Sequence, residues 1–316
     1  MAAGGPAKGW PHTFLIGAGP VAIALAGALR VGGVSVLGLW ARRPDAARRA
    51  ADSAGVPGFS GPFPERLGEA DAVILAVRDE AIADVADAIL SASIFLSRRP
   101  VFVHCSGARP AAQALGSIAE RRGRAISGMA TLHPLRALAD GAQGITALPG
   151  TVFGIEGDEP GVAVARALAV AIGGVPLVLE SEQMAGYHAA ASMASNFLVA
   201  LLDAAGAVLA GVGMDPDEAL RALVPLARGS LENVAARGAR AGLTGPIQRG
   251  DVGTVERHLA SLRDRPELLT LYRAMARHTL RLARRPHQGD NEGDDEGDSE
   301  GDEERRARLD AIERLL

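Results

Sequence analysis

The sequence predicts an α/β domain built on a doubly wound parallel sheet, followed by an all-helical C-terminal domain. Residues 13–155 alternate short β-branched runs with Ala- and Leu-rich amphipathic stretches, as expected for a parallel sheet covered by helices on both faces. From about Ser181 the strand signals end and long helical periodicity follows. With 316 residues, 48% of them hydrophobic, the chain is long and apolar enough for two cores.

The predicted α/β domain occupies residues 12–180 and follows a Gly/Ala/Pro-rich flexible leader over residues 1–11. Its helices are expected to begin near Pro20, Pro44, Glu80 and Ala111, with a further helix near Val162–Ile172. Its strands are expected at Thr13–Ile16, Ser35–Leu39, Ala72–Ala76, Val101–His104, Ala125–Ser127, Val152–Ile155 and Pro176–Leu179.

The helical domain is expected over residues 181–285. Its predicted helices are Ser181–Ala210, Pro216–Ala236, Val252–Arg263 and Pro266–Arg284. Residues 286–316 are expected to be a tail. Its Gly/Asp/Glu tract, Gly289–Glu304, cannot bury enough apolar surface to fold, and Arg305–Leu316 is expected to form a short amphipathic helix.

Composition argues against several functional classes. Lys8 is the only lysine, which argues against lysine catalysis, and the single cysteine, Cys105, cannot form an internal disulfide. The apolar run Leu198–Leu202 is far shorter than the roughly 20 residues that span a bilayer, and the first residues lack a secretory signal, so we expect a cytoplasmic protein without a membrane partner. Ten acidic residues in 287–304 leave the remainder only mildly basic, too weakly so for nucleic acid.

A glycine-rich turn follows the first predicted strand and opens the first helix. Gly17, Ala18, Gly19, Pro20 and Val21, with Ala22 after them, give the pattern Gly-x-Gly-x-x-Ala. Gly17 permits the tight turn, and Gly19 lets the backbone approach a pyrophosphate at the helix N-terminus. The position of this motif predicts a Rossmann-type dinucleotide-binding domain.

The end of the second predicted strand indicates which dinucleotide binds. An NAD enzyme places a carboxylate there to hold the ribose hydroxyls, whereas this chain has Arg42 and Arg43. Two guanidinium groups suit a 2′-phosphate, which predicts NADP(H); the alternative is that both arginines are solvated surface residues.

Further candidate cofactor contacts lie at the ends of later strands. Val77 and Arg78 follow the third predicted strand, and Ser106 follows the fourth. Open α/β sheets bind ligands at these carboxyl ends.

Three polar residues recur at helical spacing in the first long helix. His188, Ser192 and Asn196 stand at i, i+4 and i+8 among Ala, Leu, Met and Val, and a continuous helix would place them on one face. We expect His188 to be the catalytic acid/base, since its ordinary pKa lies near neutrality, with Ser192 and Asn196 orienting the substrate. The alternative is hydrogen bonding between helices within a core.

A polar loop interrupts the helical domain. In the run Leu243–Asp251 we consider Thr244, Arg249 and Asp251 candidate substrate contacts, although helix capping alone explains Asp251.

Taken together, these motifs resemble those of the Rossmann-like, DUF2520-containing family of NADP-dependent oxidoreductases. The resemblance covers roughly residues 12–284. It rests on the Gly-x-Gly turn, Trp40-Ala-Arg-Arg, Val77-x-Asp79, His104-Cys-Ser-Gly, Leu132-His133-Pro134-Leu135, Tyr187-His-Ala-Ala-Ala with Ser195-Asn196, and Leu243-Thr-Gly-Pro-Ile-x-Arg-Gly-Asp with Thr254 and His258.

The resemblance implies an oxidoreductase, in some members linked to coenzyme F420, and a homodimer formed through the helical domain. More distantly, the layout is similar to ketopantoate reductase, pyrroline-5-carboxylate reductase and the β-hydroxyacid dehydrogenases. Several of these use a Lys-x-x-x-Asn helix face, and His188 and Ser192 stand in those two places here.

The leading functional hypothesis is hydride transfer between NADPH and a small carbonyl, imine or hydroxy-acid substrate in an interdomain cleft, with His133 as a further candidate substrate contact. The alternatives are a non-catalytic NADP(H)-binding or sensing module and an F420-linked oxidoreductase. Metal-dependent hydrolysis is not expected, because His104, Cys105, His133 and His188 include no close-spaced ligand pair.

Overall fold

The protein folds into two compact units. This computed structural model describes residues 9–92, 94, 96–116, 118, 125–285 and 299–316. The first unit ends at Asn196 and the second runs from Phe197 to Leu316. The sequence placed the domain boundary at residue 180, where strand signals end, but the first unit also contains the next helix. Residues 1–8 of the predicted leader and 286–298 of the predicted tail lie outside the described residues.

The first unit is built on a mostly parallel sheet. Its strands are β1 (Thr13–Ile16), β2 (Val36–Trp40), β3 (Gly58–Phe59), β4 (Ala72–Leu75), β5 (Val101–His104), β6 (Gly128–Pro134), β7 (Val152–Gly157) and β8 (Val175–Val178). Among the described residues the order is β3-β2-β1-β4-β5-β6-β7-β8. The chain switches direction across the sheet between β1 and β4, which is where doubly wound folds bind ligands.

Helices cover both faces of this sheet. They are α1 (Pro20–Val31), α2 (Pro44–Ala54), α3 (Ile82–Ser91), α4 (Ala111–Leu115), α5 (Gly141–Ala147), α6 (Glu159–Ala171) and α7 (Met184–Ala194). One buried cluster packs α1 and α6 against the sheet, and a second packs α3 and α4 against the opposite face. The predicted α/β class is therefore confirmed, since apolar strands buried on both faces require two helical layers.

The sixth strand differs from its prediction. The sequence placed it at Ala125–Ser127, but β6 begins at Gly128 and runs to Pro134, antiparallel to β7. Residues 129–132 are all buried, so the strand lacks the alternation of polar and apolar residues that marks a half-exposed strand. As a result His133 lies on the strand itself, opposite Gly154.

The remaining helices form the second unit. They are α8 (Asn196–Ala210), α9 (Pro216–Ala241), α10 (Pro246–Arg249), α11 (Val252–Ser261), α12 (Pro266–Ala283) and α13 (Ser299–Leu315). Proline occupies an early position in α9, α10 and α12, where its missing N–H costs nothing. The helical C-terminal region expected from the sequence is thus present.

The C-terminal helix corrects an expectation. The sequence predicted that residues 286–316 form a tail, but Leu309 and Ile312 of α13 are buried in a cluster with Ile247, Val255 and Leu280. The helix also begins at Ser299, earlier than the predicted Arg305. Acidic side chains near a helix N-terminus are stabilised by the helix dipole, so the acidic residues before Arg305 can be helical. This segment therefore contributes to the core of the second unit.

The apolar helical run Ser181–Ala210 also departs from expectation. It is long enough, and with a mean hydropathy of 1.7 over an 18-residue window apolar enough, to cross a membrane. The shorter apolar run Leu198–Leu202 did not predict this. Length and composition alone are weak grounds for a span. The run is divided by Ser195 and carries ionisable side chains at His188 and Asp203.

Candidate functional site

The turn after β1 is shaped by Gly17. Its φ of 135° lies in the region that favours glycine, and a Cβ there would lie 2.2 Å from the carbonyl oxygen of Ala76. Gly19 is the extended N-cap of α1 and has no side chain to occupy the helix end, and Pro20 follows as the first helical residue. The free N–H groups of the first turn therefore point to a space where an anion would be stabilised.

A pocket of about 510 Å³ opens at this end of the sheet. It is bounded by the glycine turn, the end of β2, the segment after β4 and one residue after β5. The lining residues are Ile16, Gly17, Gly19, Pro20, Val21, Trp40, Ala41, Arg42, Ala76, Val77, Arg78, Ala81, Val85 and Cys105. Most of the predicted cofactor contacts are in this set, whereas Ala18, Arg43 and Ser106 are not.

The two predicted phosphate-binding arginines differ in position. Arg42 lines the pocket, while Arg43 is the exposed N-cap residue of α2. Beside them, the Trp40 indole N–H donates to the carbonyl of Gly61 (3.0 Å), and its ring packs on Phe63. The pocket wall next to Arg42 is thus held in place, and Arg42 is the better placed of the two for a ligand.

The segments after β4 and β5 are tied to each other. The Ser106 hydroxyl donates to Oδ2 of Asp79 (2.7 Å), and Arg109 donates to the Asp79 backbone carbonyl (3.3 Å). The Ser106 side chain is buried and holds Asp79, and its predicted contact with the cofactor stays a prediction. Arg78, which directly precedes Asp79 in the chain, lines the pocket.

Cys105 lines the pocket but is not a nucleophile at neutral pH. Burial, together with the nearby charge of Asp79, raises the pKa of the Cys105 thiol to about 12. A thiol this weakly acidic carries almost no thiolate at neutral pH, which makes it inert as an attacking group.

A buried chain of hydrogen bonds runs from β5 to the residues before α7. Nδ1 of His104 accepts from the Ser106 N–H (3.1 Å), so Nε2 carries the proton and donates to Thr131 Oγ1 (3.0 Å). The Thr131 hydroxyl donates in turn to Oε2 of Glu156 (3.4 Å), and the Ser181 hydroxyl donates to Oε1 of Glu156 (2.7 Å). The loop after β5 and the entry to α7 are therefore held by the same buried residues.

His133, Tyr187 and His188 form a cluster beside this chain. Nδ1 of His133 lies 3.0 Å from the Tyr187 hydroxyl, and the two rings meet edge to face. The His133 and His188 rings are also arranged edge to face, with centroids 5.8 Å apart. Strand β6 supplies one imidazole and α7 supplies the other.

Two glycines make room for the cluster. A Cβ on Gly107 would lie 2.7 Å from Cδ2 of His188 and 2.8 Å from Cε1 and Nε2 of His133. A Cβ on Gly154 would lie 2.7–2.8 Å from ring and hydroxyl atoms of Tyr187. Gly107 follows pocket-lining Cys105 by two residues, so the loop that borders the pocket ends against both imidazoles.

Burial keeps two histidines of this region neutral. Burial and then the nearby His188 lower the pKa of His133 to about 4, against the opposing charge of Asp79. Burial likewise lowers the pKa of His104 to about 4, again with Asp79 opposing and Arg109 contributing. At neutral pH both side chains are uncharged and can donate and accept one hydrogen bond each.

The predicted polar face on the first long helix is only partly present. His188 and Ser192 are one turn apart on α7 and both half-buried, but α7 ends at Ala194. Asn196 is the exposed first residue of α8, beyond the distorted Ser195 (φ −116°, ψ −75°). The expectation of one continuous face is therefore wrong at Asn196, because the regular helical step does not pass through Ser195.

The candidate substrate contacts in the loop lie in the second unit. Thr244 and Arg249 are exposed, and Arg249 ends the short helix α10. Asp251 caps α11: it accepts from the Thr254 N–H (3.0 Å) and hydroxyl (2.7 Å), and the hydroxyl bond lowers the pKa of Asp251. Capping thus accounts for Asp251, and a role for these three residues in substrate binding stays a prediction.

Sequence reasoning missed Tyr187 and Glu156. Tyr187 directly precedes His188, but nothing in the spacing indicates that it meets His133, which is far away in the chain. Glu156 belongs to a strand predicted to end at Ile155. Among the described residues, no group of three or more His, Cys, Asp and Glu side chains is arranged to hold a metal ion.

Comparison with known proteins finds two family models that match separate parts of the chain. The family model described as "NADP oxidoreductase coenzyme F420-dependent" matches residues 13–98, and the model of the domain of unknown function DUF2520 matches residues 151–279. A search of curated proteins finds no match.

Solved structures resemble most of the chain. Protein TM1727 from Thermotoga maritima is 26% identical, with a TM-score of 0.64 over 86% of this chain and 98% of that one. A pyrroline-5-carboxylate reductase from Coxiella burnetii is 17% identical (TM-score 0.54; 86% and 98% covered). A reductive aminase from Aspergillus terreus, in complex with NADPH and ethyl-5-oxohexanoate, is 16% identical (TM-score 0.56; 86% and 94% covered). The last two resemblances establish the fold alone. The chain is thus similar to NADP oxidoreductases over residues 13–98 and to DUF2520 domains over residues 151–279.

Proposed function

We propose that the protein is an NADP(H)-dependent oxidoreductase that transfers hydride to or from a small carbonyl, imine or hydroxy-acid substrate. The observation that carries the proposal is the adjacency of two features in the first unit. A pocket at the glycine turn reaches Cys105, and the loop from Cys105 to Gly107 ends against the imidazoles of His133 and His188.

The residues present fit a dinucleotide phosphate. The turn at Gly17 leaves no room for a side chain, and the uncapped N-terminus of α1 offers N–H donors to a pyrophosphate. Arg42 lines the same pocket beside the end of β2, where a 2′-phosphate would be bound. The reductive aminase, whose structure contains NADPH, shares this fold.

The chain's own residues supply binding and proton transfer. NADPH, when bound, supplies the hydride. As hydride reaches the substrate carbon, the π electron pair moves to the oxygen or nitrogen, which takes a proton from His188; in the reverse direction His188 removes that proton. Ser192, one turn away, orients the substrate, and Asn196 is a further candidate for this role.

A turnover experiment tests the proposal. NADPH oxidation would be followed with ketones, 2-oxo acids and cyclic imines, and with oxidised F420 as an alternative hydride acceptor. Substitution His188→Gln should lower kcat by roughly 10²–10⁴-fold while leaving NADPH affinity nearly unchanged, since general acid catalysis contributes that much.

The matched control is His278→Gln, an exposed histidine on α12, which should turn over as the wild type does. Equal rates for both variants would overturn the catalytic role of His188. NADPH binding without turnover of any acceptor would instead favour the non-catalytic sensing module.

We also propose that the protein is a cytoplasmic homodimer formed through the helical unit. Large apolar side chains on α8 and α9 are exposed, among them Phe197, Val199, Leu226 and Leu231. A surface of this kind commonly marks an interface with another protein.

A further inference from the structure

The cluster of His133, Tyr187 and His188 holds two imidazoles, but the proposed reaction uses only the one at His188. The second imidazole, that of His133 on β6, is half-buried and contacts the Tyr187 hydroxyl and the His188 ring. Its chemistry depends on which ring nitrogen is free to contact a ligand and on whether that nitrogen carries a proton.

The Tyr187 hydroxyl determines the state of Nδ1. Gly154 lies opposite His133 in the sheet, and the Tyr187 ring and hydroxyl lie so close to it that they would clash with a Cβ there. The Tyr187 hydroxyl lies 3.0 Å from Nδ1 of His133 and 3.3 Å from the His133 carbonyl oxygen. A hydroxyl that donates along the shorter contact leaves Nδ1 unprotonated, whereas one that donates to the carbonyl accepts from a protonated Nδ1.

The other nitrogen faces the site. Nε2 and Cε1 of His133 lie at the edge of the ring that approaches Gly107, and His188 Cδ2 approaches the same glycine. A neutral imidazole with Nδ1 unprotonated carries its hydrogen on Nε2. That N–H points to the place where the loop from Cys105 meets the two histidines.

We propose that His133 is a second catalytic residue, a neutral Nε2–H donor that polarises the substrate's reacting oxygen or nitrogen, and that Tyr187 is the positioning residue that fixes this tautomer. The inference rests on the proposed function and names its substrate class more closely. A donor at this position selects a substrate whose reacting atom keeps a lone pair, which means a ketone, an aldehyde or an uncharged imine, and not a protonated iminium ion.

The charges around His133 are consistent with a permanently neutral donor. His188 on α7 opposes its protonation, whereas Asp79 after β4 favours it. Burial outweighs that carboxylate. The proton that is consumed in reduction therefore comes from His188, and His133 stabilises the developing negative charge by hydrogen bonding.

Imidazole nitrogen NMR of the full-length protein tests the tautomer without any substrate. Long-range ¹H–¹⁵N correlation spectra, assigned with His133→Asn, should show His133 with protonated Nε2 and bare Nδ1 from pH 7.5 to 5.5. Tyr187→Phe should populate the Nδ1–H tautomer. A wild-type protein with protonated Nδ1, or a Tyr187→Phe spectrum like that of the wild type, would overturn the assignment.

The chain offers a matched control in its only other tyrosine. Tyr272 forms the same contact in the second unit, with its hydroxyl 2.9 Å from Nδ1 of His258. Tyr272→Phe should alter the His258 signals and leave those of His133 unchanged. If Tyr187→Phe fails to fold, the wild-type tautomer still decides the question.

Ligand titration separates this inference from the proposed function. NADP⁺ should shift the His133 Nε2 signal, whereas 2′,5′-ADP, which lacks the nicotinamide, should bind without shifting it. If neither ligand binds, the proposed function fails while the tautomer result stands. If NADP⁺ binds and the His133 signal does not move, the role of His133 beside the nicotinamide is wrong.

Discussion

At the scale of single residues, the site depends on where backbone crowding excludes a side chain. Gly17 admits no Cβ against Ala76, and Gly107 admits none against the two imidazoles. The glycine-rich motif in the sequence predicts the requirement for Gly17, since the tight turn that this motif forms is a local feature of the chain. The second becomes visible only when His133 and His188, which are distant in the chain, are brought to the same loop.

The different positions of the two arginines after β2 lead to a prediction about cofactor choice. Arg42→Ala should weaken NADPH binding by about tenfold or more, because charge-assisted hydrogen bonds contribute roughly 1.5–3 kcal/mol, and should leave NADH binding unchanged. Fluorescence titration of both cofactors measures this. Arg43→Ala is the matched variant and should have the smaller effect, since Arg43 is absent from the pocket lining. Equal wild-type affinities for NADPH and NADH would rule out a 2′-phosphate site.

The buried histidines predict how stability depends on pH. The pKa of His104 and of His133 falls from 6.5 to about 4 in the folded protein, so the unfolded chain takes up protons first as pH decreases. Stability should be full above pH 6.5 and decrease toward pH 4, by about 1.4 kcal/mol per pH unit for each histidine.

Urea unfolding at pH 7.5, 6.5 and 5.5 measures this slope. The groups that face these two rings are Asp79, Arg109 and His188. His104→Gln should make the dependence shallower, whatever it does to stability at pH 7.5. A free energy of unfolding that is the same at pH 5.5 and 7.5 would be inconsistent with buried neutral imidazoles.

At the scale of elements, α13 stabilises the second unit. Leu309→Ala should cost about 2–5 kcal/mol, as expected for a buried leucine, and should speed amide hydrogen exchange in α10 and α12, which pack against it. Arg306→Ala, on the exposed side of the same helix, should change stability by less than about 0.5 kcal/mol. Unchanged exchange in Leu309→Ala would mean that α13 does not stabilise the second unit.

At the scale of the whole molecule, the exposed apolar surface on α8 and α9 makes association the next measurable property. Sedimentation at micromolar concentration should give a homodimer, and Leu226→Glu should shift it toward monomer because a charge would be buried in the interface. Glu232→Gln, an exposed polar change on the same helix, should leave the dimer intact. A wild-type monomer would contradict the proposal.

The sequence by itself determined the features that are local in the chain. Alternating strand and helix patterns, the glycine turn before α1 and the arginines after β2 each arise within a short segment, so a single sequence was enough to predict the α/β class, the helical C-terminal region and most residues of the pocket at the glycine turn. Tertiary structure decided what depends on distant residues meeting. It brought Tyr187 to His133, moved His133 onto β6, buried Glu156, and folded α13 into a core. The physical reason is that local backbone preferences act over a few residues, whereas burial and hydrogen bonding act between whatever residues the packing of the sheet and helices brings together.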